Sequence, residues 1–173
     1  MKSLKTAIAL SALLLPLGAS AQVASDHDHP AVTDGASPGV VALPPRVRML
    51  VDAIDIPLTP EAVARAGLTE SMAAALAADT AGKRYTRVRA VGALGVIGTD
   101  SARQLIELLA RADADEQVRV QAVISLARIW GGDDREAVTG FLTTLLGEDA
   151  PPVVDDAVAR ELSRLYAMSH LQR

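Results

Sequence analysis

Thr86-Arg87-Val88-Arg89-Ala90-Val91-Gly92-Ala93-Leu94-Gly95-Val96-Ile97 and Val118-Arg119-Val120-Gln121-Ala122-Val123-Ile124-Ser125-Leu126-Ala127-Arg128-Ile129 are two copies of one pattern, and that pattern decides the fold. At an offset of 32 positions Arg87 meets Arg119, Ala90 meets Ala122, Leu94 meets Leu126 and Ile97 meets Ile129, while upstream Leu76 meets Leu108. The apolar positions recur three and four apart, which lines one side of a helix. A third copy follows at an offset of 36, where Val154, Val158, Leu162 and Leu165 answer Val118, Ala122, Leu126 and Ile129, and Phe141 and Leu145 answer Leu105 and Leu109. The extra residues fall at Gly131-Gly132-Asp133-Asp134, a loop composition. Helices are predicted over 70–78, 84–97, 101–111, 116–130, 135–146 and 152–168, with Ser101/Gln104 and Asp133/Glu136 as capping boxes for the third and fifth. A helix pair that cannot bury its apolar flank alone, copied in series, predicts an all-α solenoid of about three antiparallel pairs.

Working outward, Val47, Leu50, Val51 and Ile54 share one helical side, so a short helix should start near Arg46. Thr59 followed by Pro60 and Glu61 has the chemistry of an N-cap, a first-position proline and a first-turn acid, opening a second short helix that stops at Gly67. Residues 46–67 therefore read as N-terminal capping helices, and 68–168 as the repeat domain. Residues 22–45 hold Ser, Asp, His, Gly and Pro without a sustained apolar period and read as a disordered tether. Before them, Lys2 and Lys5 precede an apolar run from Ala7 to Leu15, a break at Pro16 and Gly18, and Ala19-Ser20-Ala21. This is the build of a secretory signal peptide, residues 1–21, cleaved after Ala21, and the run is too short to span a bilayer. A periplasmic or secreted location follows, without membrane insertion after cleavage.

Without Lys2 and Lys5, fifteen basic side chains face twenty-one acidic ones, a formal charge of −6, which disfavours nucleic acid and anionic membranes as partners. Aromatic residues make up only 2% of a chain that is 50% apolar, so the core must be built from Ala, Val, Leu and Ile. The absence of cysteine excludes disulfide staples and thiol catalysis. Residues 46–168 contain no histidine, no G-x-S-x-G, no H-E-x-x-H and no phosphate-cradling glycine loop, and the carboxylates sit at helix starts where capping explains them. The sequence predicts neither an enzyme nor a cofactor.

The run Asp113-x-Asp115-x-x-Val118-Arg119-x-x-Ala122-x-x-x-Leu126-x-x-Ile129, with its sister from Arg87 to Gly98, resembles the second helix of HEAT repeats, of the short type first associated with phycobilisome lyases, here in an exported bacterial protein. The resemblance covers about residues 68–168 and implies a right-handed stack whose second helices line an inner surface that binds other proteins. It also implies a ladder in which Arg87 and Arg119 pair with loop aspartates such as Asp113 and Asp149. The third copy departs from the pattern, with Asp155 where arginine belongs, and no bilin-related residue carries over.

Advancing 100° per residue from Ala122 puts Ser125, Leu126 and Ile129 on the core side and Val120, Ile124 and Ala127 opposite, with Gln117, Gln121 and Arg128 beside them. The helix before it presents Val88, Gly92 and Val96, flanked by Tyr85 and Arg89; the last presents Asp156, Arg160, Ser163 and Arg164, as a solvated end cap would. An inner surface of this kind suits an amphipathic or acidic segment of another protein. The opposing reading has neighbouring repeats or residues 40–60 of the same chain covering the valines. Trp130, the one tryptophan, is either a partner anchor or packing for the enlarged loop after it. In the tether, His27 and His29 lie on one side of an extended chain and could share Zn or Cu, which makes an exported metal-binding protein the alternative function.

Overall fold

The computed structural model describes residues 43–147 and 149–171, so the signal segment and most of the tether, with His27 and His29, lie outside the described residues. The described residues form eight helices and no strand: α1 (Pro45–Asp52), α2 (Pro60–Ala66), α3 (Glu70–Ala78), α4 (Arg84–Ile97), α5 (Asp100–Ala112), α6 (Glu116–Ile129), α7 (Arg135–Thr143) and α8 (Pro152–Leu171). They are an α-solenoid. α3 with α4, α5 with α6 and α7 with α8 are the antiparallel pairs, and the second members pack in series, α4 on α6 and α6 on α8.

The pairs pack closely because their contact positions are small. Ala90, Ala93, Ala102, Ala110, Ala122, Ala127 and Ala157 are all essentially solvent-free, and the larger buried side chains Leu94, Ile106, Leu126, Leu142 and Leu165 interlock between them. Burying one such leucine is worth about 1.5–3 kcal/mol, whereas alanine contributes mainly by letting helix axes approach. Gly95 serves the same purpose: a side chain there would stand 3.1 Å from Ser125 Cβ on α6.

Helix ends follow local chemistry. Thr59 Oγ1 accepts from the Ala62 amide and Gly67 closes α2 at φ +72°, as its sequence predicts. α3 and α4 occupy the predicted 70–78 and 84–97, and Gly98 ends α4 at φ +72°, where a residue without Cβ is favoured. The capping boxes are different. α5 is capped by Thr99 Oγ1, which accepts from Ala102 N, while the Ser101 hydroxyl donates to Glu70 on α3. Ser101 and then Thr99 hold the Glu70 carboxyl below its ordinary range. At α7 the flanking residue is Asp134, which makes no side-chain cap; its carboxylate instead receives Arg103 from α5 at 2.8 Å, and Asp133 is exposed. Two apolar residues also leave their expected side. α1 ends at Asp52, so Ile54 stands outside the helix and is 85% exposed; Ile129, on the last turn of α6, is 41% exposed. α7 stops at Thr143, short of the predicted 146, and α8 continues past 168 to Leu171.

The longer connection after α6 has a steric reason. Gly131 is buried between α6 and α8, and a Cβ there would lie 2.2 Å from the Ala127 carbonyl oxygen and 2.5 Å from Leu165 Cδ2. The neighbouring Gly132 faces open space.

Candidate partner-binding surface

The arginine ladder is present in its first rung. Arg87 Nε donates to the Ala77 carbonyl at 3.0 Å, satisfying one of the orphan acceptors at the end of α3, and its Nη2 meets Asp113 Oδ2 at 2.5 Å with both side chains 5% exposed. Asp113 Oδ1 meanwhile accepts from Asp115 N, so the aspartate holds both the loop and the arginine. Arg119 repeats the first half: its Nε donates to the Ala110 carbonyl at 3.2 Å at the end of α5. Asp149 lines the same cleft as Arg119, between the ends of α5 and α7, but among the described residues the two form no ion pair within 4.0 Å. The ladder ends at Asp155, whose Oδ1 is buried without a partner in the third copy.

The exposed side of α4 carries Tyr85, Val88, Arg89, Gly92 and Val96, and the N-terminal segment lies across it. α1 and α2 both pack on α4. Arg89 Nη2 donates to the carbonyls of Leu50 (2.8 Å) and Ile56 (2.6 Å), the Tyr85 hydroxyl donates to the Ala53 carbonyl at 2.7 Å, and the Thr86 hydroxyl donates to Asp52. Leu58 fills the notch left by Gly92, where a Cβ would stand 2.9 Å from Leu58 Cδ1. Val88 and Val96 are half-buried and pack on the core. At this end of the surface the chain's own residues 50–58 are in place, and Arg89 is committed to them. The sequence signal was Gly92, a residue with no helical merit in the middle of a regular helix.

Further along, the same side of α6 is open. Gln117 is exposed, Val120, Gln121 and Ile124 are half-buried, and the Arg128 side chain is 64% exposed. Gln121 donates to Ser125 Oγ at 3.2 Å and borders the Gly92 notch. Ala127, placed on this side by the sequence pattern, is instead buried. α8 contributes Arg160, exposed and with no hydrogen-bond or ion-pair partner among the described residues. Arg164 is held within the fold, donating to the Ala127 carbonyl at 2.7 Å, an orphan acceptor at the end of α6, and to Glu161 at 2.6 Å. Glu161, only 2% exposed, also has Arg128 at 3.8 Å. Sequence reasoning missed this buried acid. The signal was its place one position from Leu162, on the flank of a helix otherwise polar on its outer side. Trp130 is half-buried against the core just after α6.

No group of three His, Asp or Glu side chains is placed to hold a metal among the described residues, and no described helix is long and apolar enough to cross a membrane. In comparisons with known proteins, a family model described as HEAT repeats matches residues 69–163, more than half of the chain. No curated protein and no solved structure matches it.

Proposed function

The chain belongs to the HEAT-repeat family, and from that premise we propose that it is a non-enzymatic interaction module of the cell envelope, periplasmic or secreted, that binds a segment of another protein along the open inner side of α6 and α8. The observation that carries this reading is one side of α6 on which the half-buried Val120 and Ile124 lead, at successive turns, to the exposed Arg128, with Arg160 exposed on the neighbouring α8 at the repeat position equivalent to Ile124. An apolar strip with a cationic margin complements an acidic segment that also carries apolar side chains. The signal-like residues 1–21 support the location.

Affinity capture from the exported fraction tests it, with wild type beside Arg160→Glu and Ile124→Asp. Wild type is expected to retain a partner that Arg160→Glu loses at least about tenfold, since reversing an interfacial charge replaces attraction by repulsion. Ile124→Asp should lose it as well. Each variant is checked for wild-type helicity, because a buried charge at Ile124 destabilises the fold by itself. Recovery of the same proteins by all three would remove the surface from consideration.

A further inference from the structure

We infer that the open side of α6 and α8 takes its partner as an extended, acidic stretch of polypeptide held through its backbone carbonyls, and not as a helix. This rests on the reading above and adds the conformation of the occupant. The ground for it is the segment already seated on the neighbouring helix. Residues 53–59 are not helical, and the α4 surface holds this stretch and the end of α1 by donating side-chain N–H and O–H groups to main-chain oxygens: Tyr85 to Ala53, and Arg89 to Leu50 and Ile56. A single apolar side chain, Leu58, is pressed into the Gly92 notch. Pro57 lies inside the stretch, so the mode of binding tolerates a residue that cannot donate an N–H.

The repeat carries the donor half of that arrangement forward, with Ile124 standing where Gly92 leaves its notch. At the offset of 32, the two donor positions Tyr85 and Arg89 become Gln117 and Gln121 on α6, and both new side chains are again hydrogen-bond donors with a free acceptor beside them. Gln117 is exposed, and Gln121 uses one N–H on Ser125 and keeps another. The Gln121 amide nitrogen is 3.5 Å from the point where a Gly92 Cβ would stand, next to Leu58, so the α6 surface is continuous with the occupied one. A helix has its interior carbonyls engaged within itself and cannot offer them to such donors, whereas an extended strand can. Acidity follows from Arg128 and Arg160 along the same path: Arg160 has no partner among the described residues, and the exposed Asp156, one turn before it, confines the acidic part of the stretch to the end beside these two arginines.

The test is a selection from a phage-displayed library of random twelve-residue peptides on the immobilised full-length chain, followed by affinities of the selected sequences as synthetic peptides. Arms are wild type, the double variant Gln117→Met/Gln121→Met, which keeps volume and removes the donors, and Arg160→Glu, whose exposed side chain leaves the fold intact. Expected are peptides rich in Asp, Glu and β-branched residues that bind the double variant at least about tenfold more weakly. A proline placed in the middle of them should change affinity by less than about threefold, because it removes an N–H and leaves every carbonyl. Selected peptides that are helix-forming, lose about 100-fold or more on the central proline and ignore the glutamine changes, yet fail on Arg160→Glu, would overturn the extended mode and leave the surface standing. Peptides indifferent to both variants, or no enrichment at all, would overturn both.

Discussion

Gly131→Ala is expected to destabilise the domain by about 3 kcal/mol, lowering its Tm by roughly 10 °C, while Gly132→Ala changes stability by less than about 0.5 kcal/mol. The two glycines are neighbours in one loop, and neither needs a left-handed backbone. They differ only in surroundings. An added methyl at Gly131 meets a backbone oxygen at 2.2 Å and the Leu165 side chain at 2.5 Å, and the oxygen belongs to Ala127, whose carbonyl Arg164 also holds. Relief requires the loop to draw back from the end of α6 and Leu165 of α8 to give way, loosening the seam that joins the last helix pair to the rest. Thermal melts by circular dichroism measure both variants. Coincident curves for Gly131→Ala and wild type would show that α6 and α8 leave room for a methyl group between them.

The second large effect concerns the buried rung. Asp113→Asn should cost about 3 kcal/mol, because it leaves the Arg87 guanidinium inside the protein without a counter-charge while keeping the acceptor that the Asp115 amide uses. Adding Arg87→Met removes the orphaned charge, so the double variant should be at least about 1 kcal/mol more stable than the sum of the single losses implies. Urea denaturation of the four proteins completes the cycle. Additive losses would mean that Arg87 acts through the Ala77 carbonyl alone. The Arg84–Asp115 pair provides the contrast. It joins the same two helix pairs at 2.6 Å, but Arg84 is largely exposed, and Arg84→Ala should cost no more than about 0.5–1 kcal/mol.

Much of the fold is legible in the sequence because repetition and caps reinforce one another. Thr59, Pro60 and Gly67 bracket α2, and the copied Ala90/Ala122 and Leu94/Leu126 positions put α4 and α6 in register, both buried as predicted. What pattern reading misplaces are side chains whose fate depends on a neighbour distant in the chain. Thr99 and Ser101 are equally good caps by chemistry and both donate to Glu70 of the previous pair, but α5 begins directly after Thr99, so it is the Thr99 oxygen that also accepts the Ala102 amide. Asp134 is drawn from its helix end by Arg103. Ile129 sits on the core side of an ideal wheel but on the last turn of α6, where the partner layer no longer reaches it. Of the expected surface residues, Gln117, Arg128 and Arg160 are exposed and Val120, Gln121 and Ile124 half-buried. Arg164 folds back onto a carbonyl, because a long arginine can reach an orphan acceptor that a helical wheel does not depict. Tyr85 and Arg89 hold the N-terminal segment, a docking that no periodicity within α4 could announce.

Trp130, alone of its kind in the chain, stands half-buried where the second helix pair hands over to the third. Its ultraviolet emission is therefore a local signal from that one joint, with no other indole to blur it. In a linear array held together by nearest-neighbour terms, a terminal unit can detach while the rest stays wound. Fluorescence and ellipticity thus read separate events here, and the molecule carries its own gauge for whether its last segment is latched.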